Sequence, residues 1–175
     1  MIGKPQFGWS HITIGEWSDR ISYLDDVPFE LLRTLIRGCK EHRPQCLKFD
    51  AEGYEYILVF EWHNVFVIYQ DTFIPRTAGK KGTSEFAAKC LEADRDELAM
   101  SLIRDIRENA DEWATFYAMC DDYTDERNED RKLMLLALCN ELESLIPSDD
   151  HRLIHVATGK EVTLSKETHN GEENS

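Results

Sequence analysis

The chain has 175 residues, 42% hydrophobic and 31% charged, with 34 Asp and Glu against 20 Lys and Arg for a formal net charge of −14. That is apolar material for one core, and the charge argues against nucleic acid, whose binding rests largely on Lys and Arg displacing counterions. No apolar run approaches the roughly 20 residues of a bilayer span, and the first ten residues lack a signal peptide's basic and apolar regions, so a cytoplasmic protein is expected.

Residues 10–14 and 20–24 alternate polar and apolar side chains on either side of Gly15 and Glu16-Trp17-Ser18-Asp19, which reads as a β-hairpin. Asp25, Asp26 and Pro28 then signal a helix start, with acids at its positive end and proline in its first turn. Leu31, Leu32, Leu35, Ile36 and Cys39 follow at helical spacing, so a helix over 28–42 should bury one stripe before His42-Arg43-Pro44 stops it. Three strands are expected next, over 46–51, 54–61 and 65–70, as a meander turning at Glu52-Gly53 and at Trp62-His63-Asn64. The last two are apolar on both faces over part of their length, so each face of the sheet needs a cover.

Residues 71–83 mix proline, glycine and lysine without periodicity and read as a loop between two halves. Beyond Ser84, Phe86, Ala87, Cys90 and Leu91 keep helical spacing, and Leu98, Leu102, Ile103, Ile106, Ala110, Trp113, Ala114 and Tyr117 continue it. Asp94-Arg95-Asp96-Glu97 can cap a new helix, which leaves 84–120 as one helix or two. A polar connection plus a helix start over 121–130 leads to a last long helix marked by Leu133, Leu135, Leu136, Leu138, Cys139, Leu142, Leu145 and Ile146 and ended by Pro147. Residues 151–164 suggest a small hairpin around Thr158-Gly159-Lys160, and 165–175 are polar enough to be disordered. The expected fold is α+β: an antiparallel sheet of about five strands in ββαβββ order, a helical lobe of two to three helices over 84–146, and the C-terminal hairpin. A single domain over 1–164 would hold them, with the sheet lobe at 1–70.

The acidity is uneven. Residues 1–82 carry 10 Lys and Arg against 11 Asp and Glu, whereas residues 83–146 carry 7 against 17. A field of that kind speeds encounter with a basic partner, and salt weakens it. The five cysteines are isolated, with no CxxC pair, and read as reduced, buried thiols. His151 and His155 are four apart, a spacing that favours metal only on a helix, and neither HExxH nor an EF-hand loop occurs. There is no nucleophile elbow, and Ala78-Gly79-Lys80-Lys81-Gly82-Thr83 falls short of a phosphate loop, so no catalytic residue, cofactor or metal is expected.

Trp17, Trp62 and His63 fall at expected turns, where aromatic side chains can anchor an interface. The acids expected to face a basic partner are Asp111, Glu112, Asp121, Asp122, Asp125 and Glu126. Two stretches, residues 7–28 (from Phe7-Gly8-Trp9-Ser10-His11 to Asp25-Asp26-Val27-Pro28) and residues 49–59 (from Phe49-Asp50-Ala51-Glu52-Gly53 to Val59), carry a further signal. Over residues 7–70 the chain resembles small bacterial immunity proteins of contact-dependent inhibition and other polymorphic toxin systems. That resemblance implies a one-to-one complex with a cognate toxin, often a basic nuclease, whose active site is blocked or whose substrate is mimicked by acidic groups. It transfers no functional residue to this chain. The leading expectation is therefore an acidic protein-binding module that neutralises a basic partner. One alternative is a small-ligand protein or enzyme with a site between sheet and helices, using His11, His63 or Glu61. Another is a homo-oligomer in which a second copy covers the two-sided apolar strands.

Overall fold

The computed structural model describes residues 1–71, 86–117 and 125–146. Alternation builds its first element: β1 (Trp9–Ile14) pairs antiparallel with β2 (Trp17–Ser22), so that Ile12, Ile14 and Ile21 are fully buried. Gly15, at φ +54, opens the two-residue turn between them, a position where left-handed backbone is needed and glycine supplies it without steric cost. The turn is thus two residues long, and Trp17 belongs to the strand, opposite Ile14, rather than to the turn.

Helix α1 (Val27–Glu41) starts with Pro28 in its first turn and ends on His42 in the left-handed conformation, whose N–H donates to the Gly38 carbonyl at 3.0 Å. Its stripe of Leu31, Leu32, Leu35, Ile36 and Cys39 is buried throughout, each leucine contributing about 2 kcal/mol by area removed from water. β3 (Gln45–Asp50), β4 (Tyr54–Phe60) and β5 (Asn64–Asp71) form the expected meander.

The next strand corrects the sequence reading. Residues expected to open a helix form β6 (Phe86–Glu92), paired antiparallel with β5. The six strands of the described residues make two sheets, β1-β2 and β3-β4-β5-β6, rather than one sheet of five. A short run such as 86–91 fits either period, and pairing with β5 decides it.

Asp94 caps α2 (Arg95–Glu108), accepting from the N–H groups of Asp96 and Glu97 at 2.9 and 3.1 Å. The helix breaks at Asn109 before a short α3 (Ala110–Ala114), so the expected helical stripe is carried by two helices from Leu98 to Ala114, and Tyr117 lies beyond them. α4 (Asp125–Leu145) packs against α1, α2 and α3 through Leu135, Cys139 and Leu142. The expected loop at 71–83, apart from Asp71 at the end of β5, the expected hairpin at 151–164 and tail at 165–175, Cys120 and the expected helix stop at Pro147 lie outside the described residues.

The core joins one face of the four-stranded sheet (Leu47, Phe49, Tyr56, Leu58, Phe60, Val65, Val67, Leu91) to the buried stripes of α1, α2 and α4. Arg131 ties three elements together. Its guanidinium forms two hydrogen bonds with the Asp26 carboxylate at 2.9 and 3.0 Å, donates to the Ala114 carbonyl at 2.9 Å, and lies over Phe29 and Tyr117. The cysteines divide: Cys39 and Cys139 are buried, whereas Cys46 and Cys90 are exposed, contrary to the expectation of uniform burial. Both exposed thiols point away from the core because strand alternation puts them on the outer face of the sheet. Among the described residues no helix is long and apolar enough to cross a membrane.

Candidate functional site

A tight turn precedes β1. Gln6 and Trp9 exchange both backbone hydrogen bonds, at 2.8 and 2.9 Å, around Phe7 and Gly8, and both central residues have positive φ, +51 and +80. That is the mirror-image hairpin turn, which favours Asn or Gly at its first central position. Phenylalanine in this conformation costs about 1 to 2 kcal/mol of steric strain. Its ring is nevertheless fully exposed, so burial does not offset that cost.

The chain around Phe7 is firmly fixed. A Cβ on Gly8 would come within 2.5 Å of the Tyr23 ring, and the Tyr23 N–H donates to the Gly8 carbonyl at 3.0 Å. Further back, the Asp105 carboxylate on α2 accepts from the Met1 amino group at 2.8 Å and from the Ile2 N–H at 3.0 Å. Burial pushes the Asp105 pKa up, but those bonds and one from Arg104 outweigh it and hold the carboxyl below its ordinary value.

Beside the turn lies a cleft of about 310 Å³, lined by Phe7, Tyr23, Glu112, Thr115, Phe116 and Tyr117 among others. Phe116 and Tyr117 are largely buried and form an aromatic floor. Acids border it. Glu112 is held below its ordinary pKa by the hydrogen bond from Lys4, 2.5 Å away. Asp111, next to it, is exposed and sits 2.7 Å from the Lys132 ammonium. The start of α4 adjoins as well, since Asn128 contacts the Tyr117 hydroxyl at 3.3 Å and Arg127 lies over the Tyr117 ring at 5.0 Å. Glu126, one residue earlier, is exposed there. Of the expected acids, Glu112 lines the cleft, Asp111 pairs with Lys132 of α4, and Glu126 lies exposed in the first turn of α4. Asp125 begins the same helix. Asp121, Asp122 and the side chain of Asp125 lie outside the described residues.

The expected aromatic anchors lie elsewhere and have work within the fold. Trp62 stacks on His42, with centroids 6.1 Å apart, and takes the guanidinium of Arg95 at 3.8 Å on its ring. Arg95 is only 7% exposed, so the indole shields a cation whose other contacts are Asp96 and the Gly38 carbonyl. His63, half-exposed in the same turn, has Nδ1 3.4 Å from Asp94. Trp17 meets the Tyr56 ring edge-on at 5.5 Å and lines a second cleft, of about 250 Å³, with Asp19, Tyr69 and Lys89. There Asp19 accepts from the Tyr56 hydroxyl, and Lys89 pairs with Glu16 at 2.7 Å. Burial, then Asp19, raises the Tyr56 pKa, keeping the phenol protonated.

His11 lies on β1 opposite Arg20, while Glu61 and His63 belong to the β4–β5 turn. Among the described residues no group of three or more His, Cys, Asp or Glu could hold a metal ion. Phe7 is an exposed aromatic that the sequence reading did not single out. Its one sequence signal is a bulky residue before glycine, just ahead of a strand. Comparisons with family models, with curated proteins and with solved structures found no match for the chain.

Proposed function

We propose that this chain is a protein-binding module whose Phe7 turn inserts into an apolar pocket on a basic partner, while acids around the adjoining cleft meet that partner's cations. One observation carries the reading: a fully exposed phenylalanine is held in left-handed backbone by a rigid support. Strain kept without burial is accounted for when the ring is buried in a complex, and aromatic anchors flanked by polar rims are how interfaces concentrate their energy. The acids at the rim supply steering and register more than affinity, because Asp111 and Glu112 already have lysine partners. The resemblance to immunity proteins gives the biological form of the proposal, neutralisation of a basic toxin by direct one-to-one binding.

The test is co-purification with the tagged full chain from source cells, followed by reconstitution from the two purified proteins. A one-to-one complex that weakens with salt, and loses about 30-fold in affinity in Phe7→Ala, is expected. Absence of any stoichiometric protein partner at both low and moderate salt would contradict it.

A further inference from the structure

The cleft beside Trp17 holds a carboxylate where the strand pattern calls for an apolar side chain. In β2, Trp17, Asp19 and Ile21 share one side, and their register partners Ile14, Ile12 and Ser10 are all buried, so that side faces the interior. Asp19 is the one charged residue on it. Among the described residues its two hydrogen-bond donors are neutral, the Tyr56 hydroxyl and the Arg20 N–H at 2.7 Å. The Arg20 guanidinium lies over Trp9 at 5.5 Å, on the other side of the hairpin. Lys89 reaches the cleft from β6, but its ammonium is 2.7 Å from Glu16, which cancels it. The charge of Asp19 is thus left without a counter-ion among the described residues.

Aromatic rings line the same space. Tyr56 and Tyr69 are register partners across β4 and β5, with centroids 5.4 Å apart and planes inclined by 55°, and Trp17 meets Tyr56 at 5.5 Å and 63°. Rings inclined in this way leave a concave space rather than a stack, and with Val67 they bound a volume of about 250 Å³. We propose that this cleft binds a methylated ammonium head, held by cation–π contact with Trp17 and the two tyrosines and by the charge of Asp19. A cation close to aromatic rings is attracted by their quadrupoles, most strongly by that of tryptophan, and more so where water is excluded.

The chemistry of the lining selects the head group. A primary ammonium has three N–H donors to satisfy, and the one carboxylate here already accepts from two groups. A fully methylated ammonium has no N–H, so rings and a nearby charge suffice for it. The volume suits such a head and falls short of the clefts of about 300 to 1,000 Å³ that take drug-sized ligands. This site goes beyond the protein-binding reading and does not rest on it. Phe7 precedes one end of the β1–β2 hairpin and Trp17 stands at the other, roughly 20 Å away at the rise of an extended chain.

The experiment is titration of the full chain with choline, followed by calorimetry and by the indole N–H signal of Trp17 in heteronuclear NMR. The expected dissociation constant is about 0.1 to 1 mM, as befits so few atoms. The neutral alcohol of the same shape, with carbon in place of the charged nitrogen, should bind at least about tenfold more weakly. Asp19→Asn, which keeps an acceptor for the Tyr56 hydroxyl, and Trp17→Leu should each weaken choline about tenfold, with circular dichroism checking that both fold. A short peptide carrying one trimethyllysine is titrated in parallel. Tighter binding of either probe supports the proposal and identifies the source as a free amine or a protein side chain. Failure of both probes to bind at about 10 mM overturns it. So does a neutral alcohol that binds as well as choline, a comparison that needs no variant.

Discussion

Two turns of this molecule each carry an aromatic residue, and they use it in opposite ways. Trp62 lies between His42 and Arg95, covering a cation that the fold has taken almost wholly out of water. Phe7 covers nothing and stands clear of the surface in a backbone conformation that a phenylalanine rarely adopts. The difference separates an aromatic side chain that the fold uses from one for which the fold shows no use. The first has an internal debt to settle, namely a buried charge, and the second holds strain with no internal return.

The largest expected effect falls on the structural side. Trp62→Ala should lower folding stability by about 2 to 3 kcal/mol, since it removes a desolvated cation–π contact and uncovers Arg95. Urea denaturation measures it, and a loss below about 0.5 kcal/mol would break the comparison by making Trp62 as dispensable to the fold as Phe7. Next comes Phe7→Ala, which should leave the urea midpoint nearly unchanged but weaken the reconstituted complex by about 2 kcal/mol, read by calorimetric titration.

A smaller effect concerns what holds the Phe7 segment in place. The folded-state pKa of Asp105 is depressed, so its contribution is fully present above the unfolded carboxylate value of about 4 and is lost as pH falls through the folded value. Melting temperature followed from pH 7 down to about 3 should therefore drop at the acid end, and Asp105→Asn should flatten that part of the profile. An unchanged acid limb in the variant would mean that other carboxylates anchor the segment.

Much of the fold is legible in the sequence because its signals are local. The alternation in β1 and β2, the Asp26-Val27-Pro28 start of α1, the Glu52-Gly53 turn and the Asp94 cap each act within a few residues. What escapes is non-local. β6 is a strand because β5 offers it a ladder, while the spacing of Phe86, Ala87, Cys90 and Leu91 also suits a helix. The contact of Trp62 with Arg95 also joins positions more than thirty apart, which no local pattern announces. Likewise Cys46 and Cys90 look apolar and prove exposed, since which face of a sheet receives the helices is a tertiary fact. Acids at Asp111, Glu112 and Glu126 stand out by composition, but that Glu112 lines the Phe7 cleft depends on the break at Asn109 that starts α3.

The smallest effect is also the most direct test of the claim that Phe7 serves a partner rather than the fold. Phe7→Asn puts a residue suited to the turn's left-handed position where a strained one now stands. Equilibrium urea denaturation of this variant against wild type should show a gain of about 1 kcal/mol in stability. A loss of about 1 kcal/mol or more would show that the exposed ring supports the fold, and would contradict the account.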